Sequence, residues 1–297
     1  MQRALSDFGA EESFARAAAR VKEHYGIDVS VNAVRRLTYQ HARQIERIEP
    51  AAPAQPAKVL ITQIDGSMIP LVKPAPSGDR RRGKTTSWSE VRLCCARAEG
   101  QTRRFYGATL GTLENVSLLW RQTALRCGLD DRSFVHGVGD GAPWIVEKFK
   151  DNFGSQGKYL IDFYHVSEYL AAAAVPIVGP AKACRWLKKQ KSRLLTGHVR
   201  KVLRSLEPHR EPEGSAETPV EDASRYLRQR LAHLHYAQTH KAKLPIGSGE
   251  VESAHRHLIQ HRLKLAGAWW KETNAQALLS LRVARANDCW NAYWSSN

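Results

Sequence analysis

The sequence predicts an α/β protein. It should contain a mixed sheet of about five strands covered by helices, an all-α insertion late in the chain and a small helical segment at the start. Three observations carry this. Candidate strands, segments of aliphatic, aromatic or β-branched residues, recur at 58–65, 89–98, 103–109, 133–139 and 158–163, lengths that suit strands. Helical patterns at about 112–127 and 143–153 flank the fourth of them. From about 166 to 244 the pattern is helical throughout. The chain has 297 residues, 42% hydrophobic and 25% charged, the composition of an ordinary globular protein with one large domain or a domain plus an appendage.

Taken in order, residues 11 to 46 read as two helices. Phe14, Ala17, Ala18 and Val21 recur at helical spacing, and Tyr25-Gly26 ends the first helix. Ser30 is a good N-cap for the second, which carries Val31, Val34, Leu37 and Ala42 with Arg35, Arg36, His41 and Arg43. Residues 1–46 therefore form a helix-turn-helix-like segment, either a DNA-binding element or an ordinary helical hairpin. Residues 47–57 are a Pro/Ala linker. The first part of the core follows at 58–165. Its loop 76–87 holds Arg80, Arg81, Arg82 and Lys84 among Gly, Ser and Thr, a phosphate-contacting or simply flexible stretch. The helical insertion spans 166–245 and includes a basic section with Lys188 and Lys189, then a Pro-rich acidic surface loop at 207–222. Residues 246–297 complete the core with helices broken near Gly267.

Net charge is +16 and the sequence pI about 9.9. Such an excess points to a polyanionic partner, usually nucleic acid, with a merely solvated basic surface as the bland alternative. No run of about 18 apolar residues and no signal-peptide pattern is present, so a cytoplasmic location is expected. Cys94, Cys95, Cys127, Cys184 and Cys289 make no C-x-x-C pair and no zinc framework. They read as reduced, mostly buried thiols.

Three carboxylates stand out. Asp65 ends the run Val59-Leu60-Ile61-Thr62-Gln63-Ile64-Asp65, Asp140 ends Phe134-Val135-His136-Gly137-Val138-Gly139-Asp140, and Glu252 opens a helix. Each aspartate precedes a glycine and, alone, reads as a turn residue. Glu252 alone reads as a capping or surface glutamate. Together, two aspartates and a glutamate suit a pair of hard divalent cations, Mg²⁺ or Mn²⁺. The spacings are 140 − 65 = 75 and 252 − 140 = 112 residues. The order of strand-Asp, further strands and a helix, strand-Asp, helix, strand, helices and helix-Glu is that of a ribonuclease H-like fold with a helical insertion before the glutamate.

Four motifs extend the pattern: Ile64-Asp65-Gly66-Ser67-Met68-Ile69-Pro70, Gly139-Asp140-Gly141-Ala142-Pro143-Trp144-Ile145, Leu160-Ile161-Asp162-Phe163-Tyr164-His165, and Ile246-Gly247-Ser248-Gly249-Glu250-Val251-Glu252-Ser253 with His261-Arg262-Leu263-Lys264 and Trp269-Trp270 after it. In this order they resemble ISKra-type bacterial insertion-sequence transposases over about residues 58–294. Many members of that group are longer at the N-terminus. The resemblance implies a DDE transposase that hydrolyses a phosphodiester at transposon ends and joins the exposed 3′-hydroxyl to target DNA. It implies Asp65, Asp140 and Glu252 as catalytic metal ligands, with Glu250 the rival third carboxylate. Two Mg²⁺ or Mn²⁺ ions, double-stranded DNA as partner, a homo-oligomer on DNA and a nucleoid-associated place in a bacterial cytoplasm are implied with it.

Around these residues, His165 either contacts the scissile phosphate or is a structural histidine, and Asp162 supports a ligand. His255 and Arg256 follow Glu252 at helical spacing. Arg35, Arg36, Arg80, Arg81, Arg82, Lys84, Lys188, Lys189, Arg256, Arg262 and Lys264 are the expected DNA contacts. Trp269, Trp270, Trp290 and Trp294 either stack on flipped bases or pack the C-terminus. The competing classes are a ribonuclease H-like structure-specific nuclease and a domesticated, non-catalytic DNA-binding protein.

Overall fold

The computed structural model describes residues 1–45, 55–73 and 83–296. Most of the 47–57 linker, and Arg80, Arg81 and Arg82, lie outside the described residues. The chain divides into two compact units, Met1–Ser133 with Glu250–Asn297, and Phe134–Gly249.

The first unit opens with three helices, α1 (Gln2–Glu11), α2 (Phe14–Tyr25) and α3 (Val31–Ile45), rather than the two expected. The extra helix was hidden because its buried side is made partly of small residues, Ser6, Gly9 and Ala10, with Leu5 as its one large buried side chain. Ser13 caps α2 by accepting the Arg16 N–H, and Ser30 caps α3 by accepting the Ala33 N–H. Leu5, Ala17, Val21 and Val34 close the small core between the three.

Strands β1 (Val59–Lys73), β2 (Thr85–Ala98) and β3 (Phe105–Thr109) pair antiparallel, with Asp65 opposite Leu93 and Leu93 opposite Ala108. Leu60 to Ile64 are buried without alternation, as in a strand covered on both faces. The expected end of this strand at Asp65 is corrected: β1 runs on for 73 − 65 = 8 residues. Asp65-Gly66 reads as a turn, yet Gly66 and Pro70 both fit the ladder. Gly66 lies against the Glu90 carboxyl, which would have to shift to admit a side chain. Pro70, which has no N–H to donate, offers its carbonyl to Trp270 N–H, while Val72 N–H bonds the Trp270 carbonyl. Helix α4 (Leu113–Arg126) sets Trp120 against the same strand, its indole N–H donating to Thr62 Oγ1.

After the second unit the chain returns as α11 (Gly249–Ala254), a π-helical segment (His255–Gln260), α12 (His261–Leu263), α13 (Glu272–Ala286) and α14 (Cys289–Ser295). These pack Val251, Leu258, Leu263 and Leu278 onto Ile69, Leu71, Val91 and Leu93. Trp270 is buried, and Trp290 and Trp294 pack against the same core, whereas Trp269 is exposed.

In the second unit β4 (Phe134–Gly139) and β5 (Gly157–Ile161) pair parallel from Val135–Gly157 to Gly139–Ile161, joined through α5 (Pro143–Phe153). Five helices follow: α6 (Phe163–Val178), α7 (Pro180–Leu195), α8 (Val199–Leu206), α9 (Pro219–Gln229) and α10 (Tyr236–Lys241). Two boundaries shift from expectation. β5 stops at Ile161, because Asp162 starts the next helix. The acidic stretch 207–222 is a loop only to Thr218, because Glu211 accepts the Val220 and Glu221 N–H groups and so caps α9. The five strands among the described residues are antiparallel in one unit and parallel in the other, so the protein is mixed α/β. Among the described residues no helix is long and apolar enough to cross a membrane. All five cysteines are free thiols, three of them buried.

Candidate functional site

The first unit carries Asp65, Glu250 and Glu252. Asp65 Oδ1 accepts the N–H of Gly66 at 2.7 Å. Asp65 Oδ2 lies 3.6 Å from His255 Nε2, longer than a hydrogen bond. His255 itself is buried, and burial draws its imidazole down to about 4, so it is neutral at pH 7 and makes no ion pair. It stands three residues beyond Glu252, so the helical run that bears Glu252 packs beside Asp65.

That run is fixed by a residue the sequence did not point out. Gln63, buried in the middle of β1, accepts the N–H of Val251 at 2.9 Å. Val251 N–H is one of the orphan amides at the start of α11, so a strand side chain caps this helix. The signal was a long polar side chain inside an otherwise apolar strand.

The two neighbouring glutamates have different surroundings. Glu250 is held by Arg97 Nε and Nη2 at 2.9 to 3.0 Å and by Arg104 Nε at 2.6 Å. Its carboxylate is therefore committed to a two-arginine clamp, and the same contact raises the Arg104 pKa. Glu252 is exposed.

The second unit carries Asp140, Asp162 and His165. Asp140 follows β4 and turns the chain: its Oδ1 accepts the Ala142 N–H at 2.9 Å, and Gly141 takes φ +75°. A side chain at Gly141 would strike Ile161 and Arg230. The turn is braced from the helical insertion. Tyr226 Oη donates to the Asp140 carbonyl, and Arg230 Nε to the Gly141 carbonyl at 3.1 Å. Arg230 lies over the Tyr226 ring at 4.0 Å, and Tyr226 stacks on Tyr169 at 4.2 Å.

Asp162 is 2% exposed and fully engaged. It caps α6 through the Tyr164 and His165 N–H groups and takes both the N–H and the hydroxyl of Ser248. With His136 on the Pro245 carbonyl and Phe163 N–H on the Ile246 carbonyl, it straps residues 245–248 to this unit. His165 meets Glu168 at 3.4 Å and faces the Tyr169 and Tyr226 rings edge-on.

The expected DNA contacts separate. Arg35, Arg36, Lys84, Lys188, Lys189, Arg256 and Lys264 are exposed. Arg262 is corrected from a surface cation to a buried one at 2% exposure, because its face of the helix packs between Phe14 and Trp270. Arg35, Lys84 and Arg262, far apart in sequence, line one cavity of about 940 Å³. Among the described residues no group of three or more His, Cys, Asp or Glu side chains gathers as a metal site.

No family profile and no curated protein matches the chain. Among solved structures it is similar to the Drosophila P element transposase strand transfer complex, with 10% identity, a TM-score of 0.36, and 100% of this chain and 81% of that one covered. It is also similar to NurA with manganese, with 13% identity, a TM-score of 0.13, and 90% and 65% covered. Neither overlap is close enough to say what this chain does.

Proposed function

We propose that the protein is a DDE-type DNA transposase of ISKra type, with a ribonuclease H-like core, which hydrolyses the phosphodiester at transposon ends and transfers the strand into target DNA. Asp65, Asp140 and Glu252 are its catalytic carboxylates. The observation that carries this over the rival assignment is the contrast on α11: Glu250 is neutralised by Arg97 and Arg104, while Glu252 is exposed on the helical run that meets Asp65 through His255. The four ordered motifs supply the rest.

The donor set is all oxygen, which fits Mg²⁺ or Mn²⁺. Asp65, Asp140 and Glu252 would hold two such ions, which when bound activate the attacking oxygen and stabilise the leaving one. The chain's own part is positioning. Gly66 and Ala142 amides orient the two aspartates, and Gln63 fixes the helix that bears Glu252. Neutral His255 lies beside Asp65 without competing as a cation. Exposed Arg35, Arg36, Lys84, Lys188, Lys189, Arg256 and Lys264 meet phosphates without reading sequence. The partner is double-stranded DNA, bound by a homo-oligomer that pairs two ends in the bacterial cytoplasm.

A strand-transfer assay with labelled element ends and Mg²⁺ tests this. Wild type should cleave and join. Asp65→Ala, Asp140→Ala and Glu252→Gln should bind DNA yet do neither, while Glu250→Gln should retain cleavage. Cleavage without joining would make the protein a nuclease, and binding without metal-dependent cleavage would make it a non-catalytic DNA-binding protein.

A further inference from the structure

The cavity between α2, α3 and the segment after α12 contains a cation without a counterion. Arg262 donates through Nε to the Gly9 carbonyl at 3.3 Å, and its Nη2 has no hydrogen-bond partner. Its guanidinium sits 4.8 Å from both the Phe14 and Trp270 rings. Ring faces replace only part of a cation's hydration. Glu11, the acid whose field it feels, is engaged by Arg282 at 2.9 Å and Arg285 at 2.8 Å. Burial lowers the Arg262 pKa to about 10, which leaves it charged at neutral pH. A buried charge lacking a partner is costly, and an arriving anion relieves that cost.

The rest of the wall describes that anion. Arg35, Lys84 and Lys271 also line the cavity, and none of its described lining residues is Asp or Glu. Four cations suit a run of phosphates better than a single carboxylate. The volume is that of a pocket for one small ligand, too small for a duplex. Trp269 lines it at 45% exposure, and Trp88, at 60% exposure, lies 6.5 Å from it between ring centroids. Exposed indoles beside phosphate-binding cations are what a single nucleic-acid strand uses for base stacking.

We propose that this cavity is a subsite for one nucleotide of an unpaired DNA strand, its phosphate against Arg262 and its base against Trp269. The anion site stands on the cavity's own cations, Arg262 first among them; the choice of DNA as the polyanion rests on the proposed function.

The test is anisotropy of a labelled oligothymidylate and of a blunt duplex, on the full chain at several salt concentrations. Wild type should prefer the single strand. Trp269→Ala should weaken oligothymidylate binding about tenfold, the size of one lost base–aromatic stack, and leave the duplex unchanged. Arg35→Ala with Lys271→Ala, both exposed, should lower the salt slope by about two. Arg262→Lys keeps the charge but loses the fork and should weaken single-strand binding; if it unfolds, the exposed variants still decide. Unchanged oligothymidylate affinity in Trp269→Ala and in the double variant would overturn the subsite. If wild type then still cleaves and joins element ends, the transposase reading survives that loss. Single-strand binding that follows these variants in a protein without metal-dependent cleavage would uphold the subsite and remove the transposase reading.

Discussion

Both units expose basic residues, but among the described residues only the first also buries arginines. In the first, Arg262 and Arg282 are buried and tied to backbone carbonyls. In the second, Lys182, Arg185, Lys188 and Lys189 of α7 and Arg200, Lys201 and Arg204 of α8 are exposed, and none is in an ion pair among the described residues. The same charge does different physical work. A guanidinium out of water fixes geometry, because each donor must be answered by a particular acceptor. Exposed lysines add to a field that any polyanion feels and that salt screens.

The strongest way to break this contrast is Arg282→Met. Arg282 donates to the carbonyls of Leu258, His257 and Ala10 and to Glu11. The substitution leaves those acceptors unanswered, and urea unfolding should show a loss of about 3–5 kcal/mol. A loss below about 1 kcal/mol would mean that the buried arginine is replaceable by packing, as buried ion pairs sometimes are.

Next comes Asp162→Ala in the second unit. It removes the cap of α6 and the hold on Ser248, at an expected cost of about 2–3 kcal/mol. Hydrogen exchange should rise at the start of α6 and around residues 245–248; unchanged protection there would sink the strap.

Acid sharpens the contrast from another side. Burial, then Lys158 and two neighbouring histidines, draw His235 down from 6.5 to about 4. Between those values the unfolded chain binds the proton and the folded one does not. The stabilising contribution is therefore complete above pH 6.5 and is lost as pH falls through about 4. Helices α7 to α10 should loosen across that window, and His235→Asn should flatten the dependence. An equally steep loss in the variant would place the acid sensitivity elsewhere.

The smallest effect is expected on the exposed side. Lys188→Ala with Lys189→Ala should leave the unfolding midpoint in place, while the salt slope of the proposed DNA binding falls by about two. A large drop in stability would show that these lysines are structural.

Much of the fold was legible from local pattern. The helices expected at 112–127 and 143–153 are α4 at Leu113–Arg126 and α5 at Pro143–Phe153. Missed features depend on partners distant in sequence. β1 passes the expected turn at Asp65 because β2 pairs with it as far as Lys73 and Trp270 bonds the Pro70 carbonyl and the Val72 N–H. At the candidate site, the carboxylates could be picked out as residue types in order, but their surroundings could not. Nothing near Glu250 announces Arg97 and Arg104, 153 and 146 residues away. Arg262 read as one more surface cation in a basic stretch, because helical spacing does not say which face the three N-terminal helices cover.

The brace on the Asp140 turn bears on how such a chain can change over time. Tyr226 and Arg230 belong to α9 and its end, yet they grip the Asp140 and Gly141 carbonyls. The helical insertion is therefore not a detachable ornament that evolution or an engineer can trim away. A deletion spanning α9 would release a carboxylate-bearing turn more than 80 residues upstream, since 226 − 140 = 86. Lengthening is safer at 212–217, after the Glu211 that caps α9 and away from the Asp140 turn. Inserted helices and the aspartate they steady are thus expected to vary together, as a single heritable block.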